Sequence, residues 1–312
     1  MADLLITGAD GQVGWELARR AAAAGLDAVA VNRAGLDIAD RAAVARVMAQ
    51  VAPRVVANAA AYTGVDAAET EADRAFAVNR DGPGFLGDAC AAAGALLVHI
   101  STDYVFDGTK PGAYGEDDAT APLGVYGASK LAGEEAVRAS GARHVILRTS
   151  WVYGVHGRNF VKTMLRLGGE RDRLGVVDDQ HGCPTFAGDL ADAVLALASR
   201  ELAGGFAPGG LGTFHCAGQG ATTWCGLARR IFQLAGPHLP HIPVVDAIAT
   251  ADYPTPARRP ANSVLDCARL AQAHGLALRP WPDALAEMLD AVLAGTESRA
   301  ATPQLQRQSG SP

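Results

Sequence analysis

Leu4-Leu5-Ile6-Thr7-Gly8-Ala9-Asp10-Gly11-Gln12-Val13-Gly14 opens the chain. The three consecutive apolar residues read as a short strand buried on both faces. The glycines that follow read as a tight turn into a helix, which spans 12–24, is rich in alanine and stops at Gly25. Glycine at a first strand-to-helix junction lets the backbone pass close to a pyrophosphate. The helix N-terminus then holds that group with its free N–H groups and its dipole. Gly8, Gly11, Gln12, Val13 and Gly14 are therefore candidate dinucleotide-binding residues. The spacing is GxxGxxG, and any tight turn of this kind needs glycine, so the position in the chain carries more weight than the pattern.

The same rhythm continues downstream. Apolar strands over 27–31, 55–57, 96–100 and 144–147 alternate with helices over 42–51, 65–93 and 123–139. Continuously apolar strands separated by helices imply an α/β fold, a doubly wound parallel sheet covered on both faces. After Ser150 the rhythm loosens. Gly and Pro cluster over 204–212, Tyr253-Pro254-Thr255-Pro256 interrupts the later part, and short helices remain at about 186–199, 224–235 and 283–293. The expected organisation is a nucleotide-binding domain over 1–153, with part of 184–200 packing on it, and a smaller, mainly substrate-binding domain over 154–295. Residues 296–312, with few apolar side chains, read as a disordered tail.

Composition excludes several classes. A net charge of −6 over 312 residues gives no electrostatic reason to expect nucleic acid or an anionic membrane as partner. Cys90, Cys183, Cys216, Cys225 and Cys267 are scattered and odd in number, with no CxxC pair and no zinc spacing. They read as free thiols in a reducing compartment. The N-terminus shows no basic n-region and no cleavage site. No apolar stretch approaches the ~20 residues of a membrane span, because Asp27, Asn32 and Arg33 interrupt the best candidate. The expectation is a cytoplasmic protein.

Tyr126-Gly127-Ala128-Ser129-Lys130 brings the chemistry. A Tyr and a Lys four apart share a helix face. There the ammonium is expected to lower the phenol's pKa, so that the phenol exchanges a proton with a substrate oxygen. Thr102, at the end of the fourth strand, offers a hydroxyl to polarise a carbonyl beside it, though Ser101 and Thr102 also suit a strand end. After the second strand stand Asn32 and Arg33 in place of the acidic residue that holds a ribose 2′-hydroxyl, which favours NADPH over NADH. Asp37 with Ile38 suits an adenine contact, and Asp37 equally suits a helix start. Ala61, Tyr62 and Thr63 follow the third strand, on the sheet edge where ligands bind.

GADGQVGWEL, NAAAYTGVDAAE, STDYVFDG, APLGVYGASKLAGE, RTSWVYG, NFVKTML and YPTPARRPANSVLD together resemble the dTDP-4-dehydrorhamnose reductase family of the extended short-chain dehydrogenases/reductases, over about residues 3–293. The resemblance implies a Rossmann-type fold with a smaller C-terminal substrate domain. It also implies reduction of dTDP-4-dehydro-β-L-rhamnose by NADPH, the last step towards dTDP-L-rhamnose, a precursor of surface polysaccharide. It places the catalytic roles on Thr102, Tyr126 and Lys130, and sugar contacts on Thr102, Asp103 and Trp151. Asn159, Lys162, Arg258 and Asn262 are softer candidates for the nucleotide diphosphate, for which charged forked donors are apt. Some family members hold Mg²⁺ at a subunit contact. Glu16 matches one ligand, but Gly188 and Ala291 stand where others are expected, so no metal site is assigned and a homodimer stays open. Two rivals share the motifs: a nucleotide-sugar epimerase or dehydratase, and a non-catalytic NADP-binding regulatory subunit. A dehydratase would need a second carboxylate where Tyr104 stands.

Overall fold

The computed structural model describes residues 2–300. In chain order the first half runs β1 (Leu4–Thr7), α1 (Gln12–Arg20), β2 (Ala28–Val31), α2 (Arg41–Val51), β3 (Val55–Asn58), α3 (Val65–Ala68), α4 (Ala72–Phe76), α5 (Gly82–Ala93), β4 (Leu96–Thr102), α6 (Val125–Ala139) and β5 (His144–Thr149). The second half adds β6 (Val152–Tyr153), α7 (Phe160–Gly168), β7 (Arg173–Val177), β8 (His181–Gly182), β9 (Thr185–Phe186), α8 (Ala187–Leu202), β10 (Gly212–His215), β11 (Thr222–Thr223), α9 (Trp224–Ala235), β12 (Val244–Ile248), α10 (Ala268–His274) and α11 (Trp281–Ala300). The last helix thus runs past Thr296, where the sequence suggests a tail. The rest of that stretch, 301–312, lies outside the described residues.

The central sheet has six parallel strands in the order β10-β5-β4-β3-β1-β2. Its strands alternate their side chains between two cores, as the period of two requires. Leu4, Ile6, Val55, Ala57, Val98, Val145 and Leu147 face one side, where α8 covers them with Leu190, Val194 and Leu197. Leu5, Val56, Leu97 and Ile146 face the other side, under Val44 and Met48 of α2, Leu86 of α5 and Val137 of α6. A third core belongs to the second half of the chain and gathers Tyr153, Val161, Leu174, Phe186, Ile231, Phe232 and Leu285. The order turns back between β1 and β3. At that switch point the two flanking connections run to opposite faces and leave a crevice at the carboxyl ends of the strands.

Polar ties hold those strand ends together. Thr7 donates to Asn58 Oδ1 at 2.6 Å, and Asn58 Nδ2 meets His99 Nδ1 at 3.0 Å, which links β1, β3 and β4. Between α4 and α5 the helix widens into a π turn over Ala77–Asp81. Such turns re-aim side chains, and this one delivers Asn79. Its amide bonds both backbone groups of Tyr62 and the Ser129 hydroxyl, fixing the loop after β3 against α6. All five cysteines are free, and four of them are buried.

Candidate active site

Gly8 adopts φ +70°, a left-handed conformation that suits glycine. A side chain there would lie 2.6 Å from the Ala60 backbone nitrogen, and one at Gly14 would overlap the Gly8 carbonyl. The turn is packed backbone on backbone. Gly11 caps α1 without any side-chain acceptor, so the first N–H groups of the helix stay open toward the crevice. That donor set fits a pyrophosphate.

Two adjoining cavities make one groove along the sheet edge. The first, of about 400 Å³, is lined by Gly8, Arg33, Asp37, Ile38, Tyr62 and Arg74 among others. The second, of about 610 Å³, is lined by Gln12, Val13, Thr102, Asp103, Tyr126, Lys130, Trp151 and Asn159 among others. Gly11, Ala61 and Thr63 line both. The groove therefore gathers residues expected at the dinucleotide turn, the adenine contact and the catalytic set. Within the first cavity Arg33 bonds Asp37 at 3.0 Å and remains largely exposed, while Asn32 accepts from Gly35 N.

The second cavity sits at the end of β4 and the start of α6. Lys130 is buried and gives its ammonium to the Ile100 carbonyl at 2.6 Å. Burial lowers its pKa to about 8. Burial also pushes the Tyr126 phenol up to about 12, with the Thr102 hydroxyl opposing and Asp103 adding to the rise. The expected lowering of Tyr126 by Lys130 is thus not found. The ammonium is engaged on a backbone carbonyl, and desolvation dominates. Thr102 donates to Asp103 Oδ1 at 3.0 Å and accepts from Tyr104 N at 3.2 Å. Behind them lies a buried ionic knot. Glu134 accepts from Ser101 at 2.6 Å, from Arg148 at 2.7 and 2.9 Å and from Arg138 at 2.7 Å. Burial works against the Glu134 carboxylate, yet Arg148 and its other partners hold it below the usual range.

An aromatic wall closes the far side. Trp151, left-handed at φ 48°, stacks on Trp224 with ring centroids 3.6 Å apart and planes 6° from parallel. Gly182 leaves room for the Trp151 ring, since a Cβ there would overlap it. Trp224 lines the cavity and bonds Gln180 through its indole nitrogen. Sequence reasoning missed it, and its signal was slight: an aromatic residue at a helix start just after the cap Thr223.

The softer candidates separate. Asn159 lines the cavity while capping α7 and bonding Gln12. Arg258 is exposed beside a small cleft shared with Tyr104 and Tyr126. Lys162 and Asn262 do not line the cavity. Lys162 bonds the Val155 carbonyl, and Asn262 clamps the carbonyls of Lys110 and Gly112. Glu16, the one residue matching a metal ligand, is buried against Arg19 and Arg20 at 2.7 and 2.8 Å. Among the described residues no group of three His, Cys, Asp or Glu side chains could hold a metal ion.

The RmlD substrate binding domain family matches residues 1–294. A dTDP-4-dehydrorhamnose reductase from Sinorhizobium fredii is 44% identical over 290 residues, which cover 93% of this chain and 97% of the relative. Among solved structures, a dTDP-4-dehydrorhamnose reductase from Clostridium acetobutylicum has a TM-score of 0.85 at 39% identity, covering 93% of this chain and 99% of that one. The Bacillus anthracis dTDP-4-dehydrorhamnose reductase, solved in complex with NADP, has a TM-score of 0.85 at 36% identity, covering 92% and 98%. With the family match spanning nearly the whole described chain and relatives of this identity, the chain belongs to the dTDP-4-dehydrorhamnose reductase family.

Proposed function

We propose that this chain reduces dTDP-4-dehydro-β-L-rhamnose to dTDP-L-rhamnose with NADPH. The observation that carries the reading is the convergence of Thr102, Tyr126 and Lys130 on a cavity that also holds Gln12 and Val13 of the phosphate-binding turn. When bound, the reduced nicotinamide supplies the hydride. Tyr126, held protonated at neutral pH by burial, gives its proton to the oxygen that was the C4 carbonyl. Thr102 stabilises charge on that oxygen by a hydrogen bond. Lys130, anchored on Ile100, presents its ammonium to the ribose hydroxyls. Trp151 and Trp224 give the sugar nucleotide a flat apolar face. Arg258, exposed beside the cleft it shares with Tyr104 and Tyr126, is the candidate cation for its diphosphate.

In this reading 1–153, together with α8 and β10, holds the cofactor, and most of 154–295 holds the sugar nucleotide. Among the described residues no helix is long and apolar enough to cross a membrane, and an NADPH-consuming step of this kind belongs in the cytoplasm. A dehydratase fits less well, because Tyr104 occupies the position after Asp103 and packs edge-on against Tyr126 at 5.6 Å, and an epimerase would regenerate its cofactor rather than consume it. The test is NADPH absorbance when the purified protein meets the 4-dehydro sugar. Stoichiometric oxidation is expected. Binding of NADPH without oxidation would sink the reading.

Arg33 carries the NADPH preference. A charge-assisted bond to the 2′-phosphate is worth about 1.5–3 kcal/mol, so Arg33→Ala is expected to raise the KM for NADPH roughly 10- to 100-fold and to leave that for NADH nearly unchanged. Equal changes for both cofactors would remove Arg33 from that role.

A further inference from the structure

A threonine hydroxyl has one proton to give and two lone pairs. In Thr102 one lone pair accepts from Tyr104 N, and the proton goes to Asp103 Oδ1 rather than into the cavity. While the proton points at Asp103, Thr102 has none to offer a substrate carbonyl. Asp103 is itself 3% exposed, and its second oxygen, Oδ2, is buried with no hydrogen-bond partner. The nearby Ser263 hydroxyl is turned to the His181 carbonyl at 3.2 Å. A buried carboxylate with an unmet oxygen is costly when ionised. A protonated one is not, and its own O–H can then be given to Thr102, which releases the Thr102 proton toward the cavity.

We propose that Asp103 is a positioning residue for the reduction, which frees the Thr102 proton for the substrate oxygen when its carboxyl is protonated and captures that proton when it is ionised. This rests on the reductase reading of the site. Burial pushes the Asp103 carboxyl up to about 6, in spite of the neighbouring Ser263 and Thr102 hydroxyls, so the exchange falls within the working range of pH. The groups facing it are Tyr126 from α6, Tyr104 beside it and Cys183 from the connection between β8 and β9. Lys130 lines the same cavity, and the Arg259–Asp66 pair lies beyond Tyr104. The carboxyl is raised, so its protonated form prevails at low pH and the Thr102 proton is captured as pH rises through about 6.

Two measurements test this. The first is infrared titration of the protonated-carboxyl C=O stretch in the protein alone. The wild type should lose one such band as pH rises through about 6, and Asp103→Asn should lack it. Thr102→Val should move the midpoint upward, because the carboxylate loses its donor, and Thr102→Ser should keep the wild-type midpoint. An unshifted midpoint in Thr102→Val, or no titrating band, overturns the proposal. The second is the pH profile of kcat for NADPH oxidation by the 4-dehydro sugar. Wild-type turnover should fall with rising pH to a plateau about 10²-fold lower, the usual cost of one lost donor to a developing oxyanion. Thr102→Val and Asp103→Asn should both be flat over that range. A limb that persists in Thr102→Val shows Asp103 acting through Tyr126 and overturns the proposal. A coupled infrared titration with no turnover of the sugar upholds the Asp103–Thr102 exchange and sinks the reductase reading instead.

Discussion

Tyr126→Phe is expected to lower kcat by about 10²- to 10⁴-fold, the usual worth of a positioned general acid, with the dissociation constant for NADPH unchanged. The ring stays in place, so the contact with Tyr104 and the packing at the start of α6 survive. Only the proton is lost. The direction of the Tyr126 shift matters here. A phenol raised to about 12 is protonated throughout the neutral range, as a donor to a developing alkoxide must be. A phenol lowered by Lys130 would instead suit the reverse reaction, alcohol oxidation, in which the side chain accepts a proton. Turnover by Tyr126→Phe within threefold of wild type, with binding intact, would remove the residue from the proton-transfer step.

Glu134→Ala is expected to destabilise the fold by about 3–5 kcal/mol, because removing one partner of a buried pair strands the other charge. Arg148 is 3% exposed and lies over the Phe106 ring, so it has little path to water. The Ser101 hydroxyl loses its acceptor in the same step. Arg138, which is partly exposed, can turn outward at little cost. Replacing Glu134 and Arg148 together by Leu and Met should recover much of the loss, since neither charge is then buried. Urea unfolding of the single and double variants gives both numbers. A single-variant loss under about 1 kcal/mol, the range of an exposed pair, would show that water reaches the knot.

The parts of this protein legible in its sequence are those set by short-range pattern. Strand periodicity and the glycines of 8–14 announce the sheet and its tight turn, because a Cβ at Gly8 would lie 2.6 Å from Ala60 N and the position admits little else. The Tyr126/Lys130 spacing announces one helix face. Less visible was everything that depends on distant partners. The β10 strand is four residues long and sits beside glycines, so its place in the sheet comes from pairing with β5 rather than from its own propensity. Trp224 reaches Trp151 only through the fold. Arg33 and Asp37 were read separately, and they bond each other. Lys162 and Asn262 carried the right chemistry for a diphosphate, yet backbone carbonyls claim both. The electrostatics of Tyr126 also escaped, because a helical spacing says nothing about how much water a side chain loses.

The late arrival of β10 has a consequence for biogenesis. Strands β1 to β5 are all made by Thr149, but the strand that covers the outer edge of β5 begins at Gly212. A chain leaving the ribosome N-terminus first therefore holds a nearly complete sheet in which β5, an inner strand of the finished fold, is still an uncovered edge while 150–211 are being synthesised. Such an edge is a template for another chain, and nascent α/β proteins misassociate in intervals of this kind. Fragments ending before Gly212, including 1–153 alone, should accumulate as aggregates, whereas in the full chain the short β10 covers the longer β5.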